Sequence, residues 1–236
     1  MSGLNKWASN LYLMPGELLL EYDKIEKGLG FGKAKPVPYP LPNISDVVEL
    51  AERYVKPEAR FLCCFLYLTG QRVSEFLETR RNDITMQSDQ NHDVLVVNTL
   101  TEKNREYPRR TLPIVRAGVE KPMVDYVIDY LHGMDGKERI CDLSRTNCWN
   151  VLASQGIEVD CINQDKSRGK ILLQVYPHFL RHCRASHLAM YHGFDIYKLM
   201  EFFGWRSPLT PSIYAKMNWK SLAAPMIKSS QENKKI

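Results

Sequence analysis

Between Pro57 and Gly70 the chain carries its longest apolar run, Phe61-Leu62-Cys63-Cys64-Phe65-Leu66-Tyr67-Leu68. A helix that is apolar on every side has no face to turn to water, so the rest of the fold must close around it. Pro57 suits the first turn of such a helix and Gly70 its end. The run is far shorter than the roughly 20 residues needed to span a bilayer. Adjacent Cys63 and Cys64 fall inside it and read as core residues.

The flanking chain divides into recognisable parts. Residues 1–32 mix aromatic and charged positions without a period. Residues 33–42 place proline at every second position from Pro36 to Pro42, a composition that favours a stiff polyproline linker. A domain is expected from Asn43 to about residue 220, and residues 221–236 form a tail. Ser45 is expected to cap a helix through Val55, and residues 72–79 form another helical stretch. The period then changes. Residues 93–100 read as a strand, 105–114 as its partner and 84–87 as a shorter third strand. The turn between the two main strands carries Thr101-Glu102-Lys103-Asn104. Helices return at 119–132 and 146–155. Pro177 and Gly193 bracket a further helix, Asp195 and Gly204 the next, and Thr210-Pro211 opens a last one that holds Tyr214. The class is therefore mainly α with a small antiparallel β-sheet, α+β.

Composition narrows the setting. Of 236 residues, 44% are hydrophobic and 25% charged, which suits a soluble core. The first ten residues lack a secretory layout, so the chain is expected in the cytoplasm. The six cysteines form no CxxC pair, which argues against a disulfide framework or a zinc ribbon. Cys183 lies near His178, His182 and His187, but no second ligand pair has finger-like spacing. The net charge of +5 fits a polyanionic partner. Lys103, Arg105, Arg109, Arg110 and Arg116 crowd into one stretch. Of these, Arg105, Arg109 and Arg110 are candidate DNA contacts.

Polar residues far apart in sequence suggest a chemistry. They are Arg72 in Thr69-Gly70-Gln71-Arg72-Val73-Ser74-Glu75, His178 and Arg181 in His178-Phe179-Leu180-Arg181-His182, then Gly204-Trp205, then Tyr214. Attack of a hydroxyl on a phosphodiester builds negative charge on the non-bridging oxygens. Two guanidiniums can absorb it, because arginine stays protonated and presents a planar fork to phosphate. Arg72 and Arg181 are the candidates, and no clustered carboxylates suggest a metal site. Tyr214 is the candidate nucleophile. Its phenol titrates near 10 and needs help to lose its proton. His178, three residues from Arg181 on one helical face, is placed to accept it. Lys103, on the turn between strands, can protonate the leaving 5′ oxygen. Trp205 can donate its indole N–H to the phosphate and buttress the tyrosine. His182 and His187 read as structural, and Glu75 as a support for Arg72 or its helix.

These boxes, in this order, resemble the tyrosine recombinase (integrase) family over residues 43–220. Gly204-Trp205 stands where most members carry Gly-His, and Tyr214 lies nine residues past Trp205. Lys103 matches the β-hairpin lysine, with a longer distance to Leu112-Pro113 than usual. The resemblance implies site-specific cleavage and rejoining of double-stranded DNA through a 3′-phosphotyrosyl bond, with neither ATP nor a metal and with no cofactor. It also implies a homotetramer on DNA, a monomer when free, and docking of a last helix on a neighbour. Leu222-Ala223-Ala224-Pro225-Met226-Ile227 is a candidate for that contact. Members usually have a DNA-clamping domain before the linker, whereas 32 residues precede it here, so weak DNA affinity and weak site selectivity are expected. The alternatives are relaxation of DNA in the manner of a type IB topoisomerase, and a DNA-binding module without activity.

Overall fold

The computed structural model describes residues 41–100, 109–136, 138–162 and 168–214. In chain order its elements are α1 (Ile44–Arg53), α2 (Pro57–Thr69), α3 (Val73–Glu78), β1 (Ile84–Asp89), β2 (His92–Leu100), β3 (Arg109–Val115), α4 (Lys121–Leu131), α5 (Arg145–Ala153), β4 (Gly156–Ile162), β5 (Arg168–Gln174), α6 (Pro177–Tyr191), α7 (Ile196–Phe203) and α8 (Leu209–Ser212). The mainly α class with small antiparallel sheets is what the residue pattern led us to expect.

Helix α2 is the axis of the molecule. Every residue from Phe61 to Thr69 is buried, and α1, α4, α5 and α6 pack around it. Pro57 opens it, and Gly70, at φ +58°, ends it in the left-handed conformation. Helix α1 begins two residues earlier than expected, with Asn43 as its N-cap. Ser45 lies within its first turn, and the Asn43 N–H donates to Asp46 Oδ2 at 2.8 Å instead.

The three-stranded sheet has the order β1-β2-β3, antiparallel throughout. Val97 pairs with Ile84 on one side and Leu112 on the other. Strict alternation buries Leu95, Val97 and Thr99 from β2 and Arg110, Leu112 and Ile114 from β3. Gln90 and Asn91, both at positive φ, make the tight β1–β2 turn. A second hairpin, β4–β5, was not anticipated. Ile157 pairs with Leu173 and Val159 with Ile171, and Ile157, Val159 and Leu173 bury against the core.

A buried polar cluster fastens the start of the described chain to α6. The His187 Nε2–H donates to the Pro42 carbonyl at 2.8 Å, and Nδ1 lies 2.8 Å from Tyr67 Oη. The Tyr67 hydroxyl also reaches Glu120 Oε1 at 3.0 Å, and Arg184 Nη1 donates to that same oxygen. Burial holds His187 down to about 4, with Arg184 and His192 adding to the depression. His187 is thus a neutral structural histidine. No helix among the described residues is long and apolar enough to cross a membrane.

Candidate active site

Arg72 caps α3 directly after the left-handed turn at Gly70. Its backbone N–H and its Nη1 both donate to Glu75, at 2.8 Å each. Arg110, from β3, donates to the two oxygens of the same carboxylate at 3.2 and 2.8 Å. The Glu75 side chain has no exposed surface. Burial alone would raise its pKa, but hydrogen bonds and charge from Arg110, then Arg72 and Arg181, bring it below the ordinary carboxylate range. One buried anion therefore fixes two arginines. Gln71 joins this corner to the sheet through Thr79 (3.1 Å) and Thr99 (2.6 Å).

Arg181 sits in the second turn of α6 and is 3% exposed. Its Nη1 donates to the Gly70 carbonyl and its Nη2 to the Phe203 carbonyl at 2.9 Å. Those carbonyls lie at the C-terminal ends of α2 and α7, where backbone acceptors lack helical partners and the dipole is negative. The guanidinium also lies over the rings of Phe203 (4.8 Å) and Trp205 (5.5 Å). Burial, then Arg72 and Arg110, lower its pKa to about 9, so it stays charged at neutral pH.

Gly204, at φ +64°, ends α7 and turns the chain so that the Trp205 N–H donates to Met200 O at 2.9 Å. The Trp205 ring stacks on Phe203, with centroids 4.6 Å apart, and on Tyr214, at 5.5 Å and nearly parallel. Helix α8 closes at Ser212, so it does not hold Tyr214 as expected. Tyr214 occupies the following turn, with its N–H on Pro211 O at 2.9 Å. Pro208 and Pro211 frame a segment with only four helical residues.

The partner of the Tyr214 hydroxyl is His182, through Nδ1. We expected His178 in that place. His178 is four residues earlier on α6, exposed to solvent, and its ring meets His182 edge-on at 4.6 Å. Burial, His178 and Arg181 hold His182 down to about 4. Partial desolvation, with Arg181 and Arg72 nearby, lowers His178 as well, although its side chain keeps an exposed face. Both imidazoles are therefore neutral at neutral pH. Burial raises the Tyr214 phenol against the pull of Arg181, so it keeps its hydrogen and donates it to His182.

Arg72, His178, Arg181, Trp205 and Tyr214 thus come from four separate segments into one cluster. An open groove of about 740 Å³ runs beside it, lined among others by Arg72, Ser74, Arg145, Trp149, Tyr176 and His178. Arg109 is exposed at the start of β3. Arg110 is corrected from a DNA contact to an interior support, because it is buried and spent on Glu75. Lys103 and Arg105 lie outside the described residues. The contact of His182 with Tyr214 was not legible in the sequence. Its spacing from His178 put it on the same helical face, but its partner lies 32 residues downstream.

Residues 43–220 match the sequence profile of the phage integrase family. The chain belongs to that family. Curated relatives include the tyrosine recombinase XerA of Thermococcus kodakarensis, 27% identical over 180 residues that make up 75% of this chain and 55% of that protein. The XerA of Thermococcus onnurineus is 28% identical over 169 residues, 71% of this chain and 54% of that protein. The match therefore spans about half the length of these relatives. Among solved structures, XerH bound to its difH substrate superposes with a TM-score of 0.55 at 17% identity, covering 83% of this chain and 55% of that one. A XerA recombinase gives 0.51 at 18% identity, covering 92% and 76%. In this chain Tyr214 follows α7 and returns to α6, the helix that carries the buried Arg181.

Proposed function

We propose that this chain carries the catalytic domain of a site-specific DNA recombinase. Tyr214 attacks a backbone phosphate, forms a 3′-phosphotyrosyl bond and releases a 5′ hydroxyl. The ester keeps the bond energy, so a second 5′ hydroxyl can reverse the step without ATP. The observation that carries this reading is the meeting of the Tyr214 hydroxyl, the stacked Trp205 and the buried Arg181 guanidinium in one partly buried cluster. Arg72 stands at its groove side. Three guanidiniums against one interior carboxylate leave a net positive site, which suits the charge that grows on a phosphorane. Arg72 and Arg181 take the phosphate oxygens, Trp205 buttresses the nucleophile, and Lys103 protonates the leaving oxygen.

The partner is double-stranded DNA, lying along the groove beside Arg72 and His178, with Arg109 on its flank. Two solved relatives support this partner. XerH was solved bound to difH, and the Tn1549 transposon integrase in complex with transposon right-end DNA. Strand exchange calls for more than one protomer, and we propose a homotetramer on two DNA sites. A pool of nicked duplexes with randomised flanks tests the reading, since loss of the short fragment that carries the new 5′ hydroxyl traps the covalent adduct. Wild type should yield a protein–DNA band that Tyr214→Phe lacks while still binding DNA. An adduct that persists in Tyr214→Phe would place the nucleophile elsewhere.

A further inference from the structure

We propose that His182 is the proton partner of Tyr214, holding the phenol hydrogen in the DNA-free protein and receiving it when a phosphate is attacked. The proposal rests on the recombinase reading above and assigns within it a role that we first gave to His178.

Geometry selects His182. Its Nδ1 contacts the Tyr214 hydroxyl, whereas His178 meets only the edge of the His182 ring. The Trp205 ring stacks nearly parallel on the Tyr214 ring, and the His182 ring lies tilted beside it at 5.8 Å. A phenol between a flat indole and an imidazole nitrogen has one ready acceptor for its hydrogen. Among the described residues, the charged and titratable groups facing His182 are His178 and Arg181 on its own helix and Tyr214 from the turn after α8.

The arrangement also explains why the nucleophile rests when no DNA is present. Burial and the positive charge of Arg181 oppose protonation of His182, so the imidazole accepts a hydrogen bond without taking the proton. A bound phosphate adds negative charge beside Arg181 and offsets that opposition. As Oη–P forms, the phenol proton becomes acidic and moves to Nδ1, leaving His182 as imidazolium. The P–O5′ bond breaks, and O5′ takes a proton from a separate acid. In rejoining, the imidazolium returns its proton to the departing Tyr214 oxygen. The separate acid is the Lys103 proposed above, and its neutral form takes back the proton of the attacking 5′ hydroxyl on rejoining, so protons and electrons balance.

The test uses the full chain. In the DNA-free protein, ¹⁵N NMR of labelled histidine should show His182 Nδ1 unprotonated and hydrogen-bonded, with a shift that moves in Tyr214→Phe. An unmoved shift would overturn the contact. In single-turnover cleavage of the duplex recovered from the randomised pool, His182→Asn keeps an acceptor near Nδ1 but cannot take a proton. It should bind DNA like wild type, cleave about 10²–10⁴-fold more slowly, and lose the pH dependence of cleavage that His178→Asn retains. Rates within tenfold of wild type would overturn the proposal while leaving the recombinase reading intact. Failure of wild type to form any adduct would overturn that reading itself. Should His182→Asn bind no DNA, His182→Ala with added imidazole takes its place, and absence of rescue counts against the proton role.

Discussion

Glu75 has two arginines and a backbone N–H on its two oxygens and no contact with solvent. A buried ion pair is weak evidence for stability, because desolvation offsets most of the attraction. Removing one partner is another matter, since the remaining charge is left buried and unmatched. Glu75→Gln keeps the shape and leaves Arg110, itself buried, against a neutral amide. Urea unfolding at neutral pH should show a loss of about 3–5 kcal/mol. Arg72 would lose the anion that fixes its side chain, so cleavage should fall by more than the change in DNA binding. A stability change below about 0.5 kcal/mol, the size typical of surface substitutions, would mean the carboxylate is not holding this corner. The Arg72 box itself was legible from Thr69-Gly70-Gln71-Arg72. The Arg110–Glu75 pair was not, because a contact across 35 residues leaves no local pattern.

At the scale of elements, the site depends on how closely the ends of α2 and α7 approach. Gly70 is the joint. A Cβ built there would lie 2.4 Å from Phe203 Cε1, in a backbone conformation that side chains rarely adopt. Phe203 in turn stacks on Trp205 and lies under Arg181. Gly70→Ala should therefore cost about 2–4 kcal/mol, from left-handed strain and overpacking together. The displaced Phe203 ring should also change Trp205 fluorescence and slow cleavage. Wild-type stability and fluorescence in that variant would show that the α2–α7 contact tolerates a side chain. The punctuation of these helices was readable beforehand. Pro57, Gly70, Pro177, Asp195 and Gly204 mark boundaries by local backbone chemistry. Hairpin β4–β5 escaped notice. Ile157 and Val159 alternate with Glu158 and Asp160, but Ile171-Leu172-Leu173 on the partner strand breaks the period. Ser45 misled for a related reason, since Asn43 and Asp46 compete for the same helix start.

Across the whole molecule, the shifted histidines and the interior carboxylates lean one way below neutral pH. Burial lowers His182 and His187, partial desolvation lowers the more exposed His178 and His192, and two interior carboxylates, Glu75 and Glu120, lie below their ordinary range despite burial because of Arg110 and Arg184 respectively. In each case the unfolded chain takes up a proton at a higher pH than the folded one. Stability must then fall as pH falls. The histidines act first, from about 6.5, where an unfolded histidine titrates, down to about 4 for His182 and His187. The carboxylates follow, with stability present above the unfolded value near 4.3 and lost as pH drops through their lower folded values. His187 is the cleanest reporter, being 1% exposed and away from the nucleophile. Around it stand Glu120, Arg184, His192, the Tyr67 hydroxyl and the Pro42 carbonyl. Its share of the slope should approach about 1.4 kcal/mol per pH unit below the unfolded value. Urea unfolding of wild type and His187→Asn at pH 7.5, 5.5 and 4.5 measures it. The variant should be less stable at pH 7.5, where it loses the bond to Pro42, and the gap should narrow as the pH falls. A gap that stays constant across that range would assign the acid loss to other groups and leave His187 a purely steric part of the α6 core.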